Sequence, residues 1–271
     1  MKAINLFDEP DTEIGHLDVS RRQALSKGLN FGIKSALAAI PLALFFKPNR
    51  VMAATGSPAL VLQVLNFALT LEYLESSFYT MGLNSSGLVP SSDTAVISQI
   101  SKHETAHVAT LKATIVSLMG TPVAEPTFDF TAGGMFPDVF SNYQTFLTLA
   151  NAFEDTGVRA YKGQAGNLQS NPTVLTAALD IHSVEARHAS EIRRIRGNKG
   201  WITGIMTAGV PAAVYGPGSP AASFPGEDNT TQGGVDITAL STFPASAASE
   251  AFDEPLDMNT VLSIATPFIK Q

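Results

Sequence analysis

The chain has 271 residues, 45% of them hydrophobic, and a formal net charge of −7, enough for a substantial core in one large domain or two small ones. It contains no cysteine, which excludes disulfides, zinc–thiolate sites and cysteine nucleophiles; any metal has to be held by Asp, Glu and His, ligands suited to iron, manganese or zinc. The acidic balance, with no basic stripe beyond the N-terminus, argues against nucleic acid as a partner.

Residues 1–54 read as an export signal. Ser20-Arg21-Arg22-Gln23-Ala24-Leu25 carries a twin-arginine pair, and Lys27 follows. An uncharged stretch of twelve residues then runs from Ser35 to Phe46, and Val51-Met52-Ala53-Ala54 offers a small-residue cleavage site. The stretch is too short to span a bilayer but suits a signal peptide's apolar region. The pattern resembles the twin-arginine signals read by the machinery that exports folded, cofactor-loaded proteins, which implies a periplasmic or cell-envelope location. Without these residues the chain keeps ten basic and nineteen acidic side chains, a net charge of −9.

Residues 55–197 carry four helical patterns. The first runs from about Pro58, with Ser57 as its cap, to Thr80, and Leu62, Leu65, Ala68 and Leu71 recur at helical spacing. Met81 to Ser92, with Gly82, Asn84, Gly87 and Pro90, reads as a loop. The second helix runs from about Asp93 to Met119 and is stopped by Gly120-Thr121-Pro122. The Gly/Pro/Phe-rich segment from 121 to about 137 is long for a helix connection and suits a crossover spanning a bundle. The third helix runs from about Val139 to Gly166. The fourth starts at Asn171-Pro172 and ends at Arg196, where Gly197 stops it. Residues 198–271 form a mostly irregular extension in which Ala245 to Phe252 and Met258 to Pro267 are short helical candidates; its apolar residues, among them Phe252, Leu256 and Phe268, suit docking on the bundle.

The chemistry lies in a repeated pattern. Glu104-Thr105-Ala106-His107 and Glu185-Ala186-Arg187-His188 each place a Glu and a His three residues apart, on one helix face. Each pattern is preceded by a matching helix. Leu65, Ala68, Glu72 and Tyr79 lie 82 residues before Leu147, Ala150, Glu154 and Tyr161, and Glu104, His107 and Leu111 lie 81 residues before Glu185, His188 and Ile192. The repeat selects Glu72 over Glu75 as a ligand, because Glu75 corresponds to Gly157; Glu75 is left as an extra group at the edge. Glu72, Glu104, His107, Glu154, Glu185 and His188 are therefore the candidate metal ligands, in the arrangement of a di-metal four-helix bundle. Tyr79 and Tyr161, two turns beyond Glu72 and Glu154, either act at the centre by bonding a ligand carboxylate or an oxygen species, or are core tyrosines. His182, one turn before Glu185, reads as a polar helix residue with a possible place beside the ligands.

With these residues the chain resembles the ferritin-like superfamily of di-metal carboxylate proteins over about Pro58 to Arg196. Glu250-Ala251-Phe252-Asp253-Glu254-Pro255-Leu256 also looks like the exported, desiccation-related branch. The resemblance implies an all-α ferritin-like four-helix bundle with a long crossover between helices two and three. It implies two iron ions, or manganese as the alternative, acting on O2 or H2O2, as in a ferrous oxidase or a peroxide-detoxifying stress protein that can assemble as a homo-oligomer. A non-catalytic stress-protection protein of the envelope, with structural metal, is the second reading. The third is a zinc metalloprotease, because His103-Glu104-Thr105-Ala106-His107 matches H-E-x-x-H. It lacks the extended motif, since Thr110 and Ala113 stand where Gly and His belong, and it leaves the repeat unexplained.

Overall fold

Ser57 opens the first helix by accepting a hydrogen bond from Leu60 N at 3.2 Å, and Pro58, which has no N–H to lose, occupies the first turn. In the computed structural model, which describes residues 56–205, 208–240 and 244–270, this helix, α1, spans Pro58–Asn84. The export signal read at residues 1–54 lies outside the described residues. Three long helices follow: α2 (Thr94–Ser117), α3 (Tyr143–Gln164) and α4 (Pro172–Ile195). Among the described residues, no helix is long and apolar enough to cross a membrane.

α1 pairs closely with α2, and α3 with α4, while α2 and α4 barely meet. The result is an all-α bundle of two hairpins joined by a long irregular connection. That connection runs along α1. Asn66 holds Thr121 O and Val123 N through its side-chain amide, Ser77 donates to Glu125 at 2.7 Å, and Phe130 packs edge-on to Phe78. Its path is the crossover that two parallel-running hairpins require.

Two helix boundaries differ from the sequence reading. α1 continues through Gly82 to Asn84, because Gly82 is not a breaker here. A Cβ at Gly82 would lie 2.3 Å from the Phe146 ring, so the glycine lets α1 and α3 approach. α3 begins at Tyr143, where Asn142 Oδ1 accepts from Gln144 N at 3.0 Å and fixes the start. At the end of α2, Met119 rather than Gly120 takes the left-handed conformation, with φ 58°. Gly120 is needed instead for room, since its Cβ would lie 2.5 Å from Leu62 Cδ2. α4 stops as its sequence suggests: Gly197 has φ 75°, and Gly197 N and Asn198 N bond back to Arg194 O and Arg193 O, each at 2.9 Å.

The C-terminal extension covers the outer face of α3. It holds two short helices, α5 (Ala245–Ser249) and α6 (Met258–Ala265), and a two-stranded antiparallel ribbon, β1 (Thr231–Gln232) with β2 (Val235–Asp236). Gly163 lets the extension close in, as a Cβ there would lie 2.0 Å from Leu256 O. Phe268 packs against Phe153 and Phe136, and Lys270 N and Asp129 N tie the C-terminal segment to the crossover. α3 is consequently buried on nearly all sides, which explains its polar outer stripe. Asn151, Asp155 and Arg159 recur every fourth residue and are all buried.

Arg159 is fully buried and bonds five carbonyls of the extension, including Glu254 O at 3.0 Å and Gly216 O at 3.0 Å. Its Nε lies 2.9 Å from Glu227 Oε1. Asp155 pairs with Arg193 and accepts from Tyr215 at 2.7 Å. Buried charges of this kind have to be paired, and here Arg159 meets Glu227 and a set of carbonyls and Arg193 meets Asp155.

Candidate metal centre

Besides a small cluster of Ala152, Ile202, Val210, Val214 and Tyr215 under the extension, the apolar core of the bundle falls into two parts. One is built around Phe78, Phe146 and Phe153, the other around Leu65, Leu111 and Ile181. Between them, at mid-height, all four helices turn carboxylates or imidazoles inward. Glu72 comes from α1, Glu104 and His107 from α2, Glu154 from α3, and Glu185 and His188 from α4. The four Glu are 0% exposed, and both His are buried.

The six side chains form two groups that share members. Glu72, Glu104, His107 and Glu185 present ligand atoms within 4.8 Å of one another, and so do Glu104, Glu154, Glu185 and His188. His107 Nδ1 lies 3.2 Å from Glu72 Oε2, 3.1 Å from Glu104 Oε2 and 3.0 Å from Glu185 Oε1. His188 Nδ1 lies 2.7 Å from Glu104 Oε1, 3.4 Å from Glu154 Oε2 and 3.7 Å from Glu185 Oε2. Glu104 and Glu185 thus each turn one oxygen to either half. Glu72 and Glu154 each serve one half.

The donor set fits a pair of metal ions. Glu104 Oε1, Glu154 Oε2, both Glu185 oxygens and His188 Nδ1 are buried without a hydrogen-bond partner. Several lie within 4 Å of one another, so distance is not what they lack. These approaches do not make hydrogen bonds, and the same residues belong to the two converging groups. Orphaned buried polar atoms are costly, and two divalent cations would satisfy them while balancing four carboxylates. Oxygen and nitrogen donors of this kind suit iron or manganese.

Without an ion, protons have to balance the cluster. Burial, reinforced by Glu185, pushes the Glu72 carboxyl well above the usual range. Burial also raises Glu154, against the pull of His188. Glu185 goes the other way: burial opposes its charge, but His107 and His188 hold it down to about 2. Burial works against a charged His107, yet Glu104, Glu185 and Glu72 outweigh it and push that imidazole up to about 12. His188 is raised in the same manner: burial opposes its charge, and Glu154 and Glu104 overcome it.

The two tyrosines are crossed. Tyr79 of α1 donates to Glu154 of α3 at 2.5 Å, and Tyr161 of α3 donates to Glu72 of α1. Each therefore holds the terminal carboxylate of the opposite helix, and each is buried. Glu75 is buried too. It occupies the room that Gly157 leaves: a Cβ at Gly157 would lie 3.3 Å from Glu75 Oε1 and 3.7 Å from Glu185 Oε2. Burial and then Glu185 raise its carboxyl well above the usual range, so it adds a carboxyl that resists ionisation at the edge of the cluster.

His103 does not join His107 at a shared centre. Its ring stacks on His188, with centroids 5.1 Å apart. Its Nδ1 lies 2.9 Å from His188 Nε2, and its Nε2 lies 2.7 Å from the side-chain amide of Gln99. With both nitrogens engaged elsewhere, the H-E-x-x-H arrangement is not formed, and Glu104 belongs to the six-residue cluster. His103 instead backs His188 and fixes which of its nitrogens faces inward. His182 stays outside both groups of converging ligands.

No curated protein matches the chain. The family model described as ferritin-like domain matches residues 61–198, which take in all four long helices' buried Glu and His, and the chain belongs to that family.

Proposed function

We propose that this protein is an exported di-metal oxidoreductase, with iron as its first metal and manganese as its second, that oxidises ferrous iron or consumes peroxide in a stress response. The observation that supports it most is the sharing of Glu104 and Glu185 between two four-residue ligand groups. Two bound iron ions would supply the electrons for reducing O2 or H2O2. For ferrous oxidation, two ferrous ions, one O2 and two protons give two ferric ions and one H2O2.

The chain's own residues would do the rest. Glu72 and His107 hold one half, Glu154 and His188 the other, and the shared carboxylates keep the halves together. Tyr79 and Tyr161 orient Glu154 and Glu72 by hydrogen bonds, which makes them positioning residues. The twin-arginine pattern at Arg21 and Arg22 supports export of a protein already folded around its metal.

The complete burial of all four carboxylates gives a second reading some support, in which the ions are structural and the protein protects without turnover. Metal analysis of protein purified from its native compartment, with ferrous-oxidation and peroxide-consumption assays, separates the two. Glu154→Gln should abolish turnover in the first case. In the second, there is no turnover to lose and only the melting temperature falls. Protein that carries a single zinc, retained after Glu72 and Glu154 are both replaced, would exclude the di-metal reading altogether.

A further inference from the structure

The internal repeat makes the two halves of the centre similar in ligands but not in surroundings. On the Glu154–His188 side, Phe78 stacks on Phe146 at 4.6 Å and meets Phe153 edge-on at 5.0 Å. The positions related to these by the 82-residue offset are Ala160, Val64 and Leu71. On the partner helices, the 81-residue offset sets Ala178 against Ile97, Ala177 against Val96 and Thr114 against Ile195. At every one of these six positions the side chain on the Glu72–His107 side is the smaller.

The space they leave is a slot of about 20 Å³, lined by Val64, Ala68, Leu111, Ala160 and Ala178 among others. It opens between α2 and α4, the two helices that barely meet, where Thr110 is exposed and Thr114 and Ala177 are half-buried. Its inner wall is the Tyr161 ring, whose hydroxyl holds Glu72. Ala68, Leu111 and Ile181 in its lining stand one helical turn from Glu72, His107 and Glu185. The slot thus runs from the surface to within one helical turn of the Glu72–His107 half of the cluster.

We infer that this slot is a docking site for dioxygen beside the Glu72–His107 half of the centre. The inference rests on the proposed oxygen chemistry and names the oxidant. A volume just above the roughly 10–15 Å³ that one water-sized molecule needs suits a diatomic molecule. Three of the four polar side chains in the lining bond elsewhere, and the fourth, Thr110, lies exposed at the rim. Thr114 donates to Thr110 O at 2.8 Å, Tyr161 donates to Glu72, and Gln164 accepts from Asn167 at 2.8 Å. Hydrogen peroxide would recover only part of its water hydrogen bonds against this mainly apolar lining, whereas dioxygen has none to lose. Small apolar cavities of this kind stay dry and take up apolar guests.

The test uses xenon as a stand-in on metal-free protein and oxygen kinetics on iron-loaded protein. Crystals of the whole chain under xenon pressure should show one xenon between Ala68, Leu111 and Ala178. It should be lost in Ala178→Ile, which installs the residue of the equivalent position on the closed side. In iron-loaded protein, Ala178→Ile should raise the KM for O2 fivefold or more in ferrous oxidation and move the KM for H2O2 less than twofold. Thr114→Ile, at the half-exposed rim, serves the same purpose if Ala178→Ile does not fold. Absence of xenon from the wild type while ferrous oxidation proceeds overturns the slot alone. Equal changes for O2 and H2O2, or no change for O2, overturn the oxygen assignment. Xenon in the slot without any ferrous oxidation by the wild type overturns the oxidase reading and the oxygen assignment together.

Discussion

Tyr79 donates its hydroxyl proton to Glu154 at 2.5 Å, across the bundle from α1 to α3, and Tyr161 returns the same bond to Glu72. Each hairpin thereby orients a carboxylate of the other. Partners that orient ligands in this way typically account for about 10–100-fold in metal affinity. Tyr161→Phe should weaken loading of one ion by that factor and leave the helical circular dichroism unchanged. Competition with a calibrated chelator measures it; an unchanged affinity would mean that Tyr161 only fills the core.

The shared carboxylates make the two ions unequal in their response to mutation. Glu104 and Glu185 belong to both ligand groups, and Glu72 and Glu154 to one each. Glu72→Gln should leave protein with about one ion per chain, whereas Glu104→Gln should leave close to none. Elemental analysis against protein concentration reads the difference. Two ions retained by Glu104→Gln would contradict the sharing.

Metal loading should release protons and strengthen as pH rises. In the metal-free chain Glu72 and Glu154 are raised well above the usual carboxylate range and His107 to about 12, so each of them holds its proton to a higher pH than the free side chain does. Ligation requires the deprotonated forms. The bound state therefore carries fewer protons than the free state from the ordinary carboxylate range up to about pH 12, and affinity grows with pH across that window. Titration calorimetry in buffers of different ionisation enthalpy should show protons released on metal binding at pH 7. For metal-free stability the sign is opposite for the raised carboxyls. Glu72 and Glu154 bind more protons folded than unfolded, so their contribution falls as pH climbs above the unfolded carboxylate range.

Arg159 anchors the C-terminal extension from inside. It is fully buried, pairs with Glu227 at 2.9 Å and bonds carbonyls as distant in sequence as Pro255. Arg159→Met removes the cation and strands Glu227, which should cost about 3–5 kcal/mol. Arg159→Met with Glu227→Gln should recover part of that loss. Urea unfolding of the single and double variants gives the coupling; additive effects would show that the two residues do not act as a pair.

The six residues that converge at the centre were legible in the chain because helical spacing is local. A Glu and a His three residues apart share a face whatever surrounds them, and the repeat picked Glu72 and Glu154 from the remaining acids. The helix starts at Ser57-Pro58 and Asn171-Pro172 were legible for the same reason, since a cap acts within one turn. Gly82 misled the reading, because its purpose is contact with Phe146, on another helix.

What the tertiary structure alone decided are contacts between distant segments. The crossing of Tyr79 and Tyr161, the seat of Glu75 opposite Gly157 and the stacking of His103 on His188 each need two helices in register. Asp155, Arg159 and Glu227 gave no sequence signal, because their partners lie in an extension with no periodicity. Spacing along one helix determined which side chains could face inward. Packing between helices determined what each of them meets, since burial and counter-charge are properties of the assembled core.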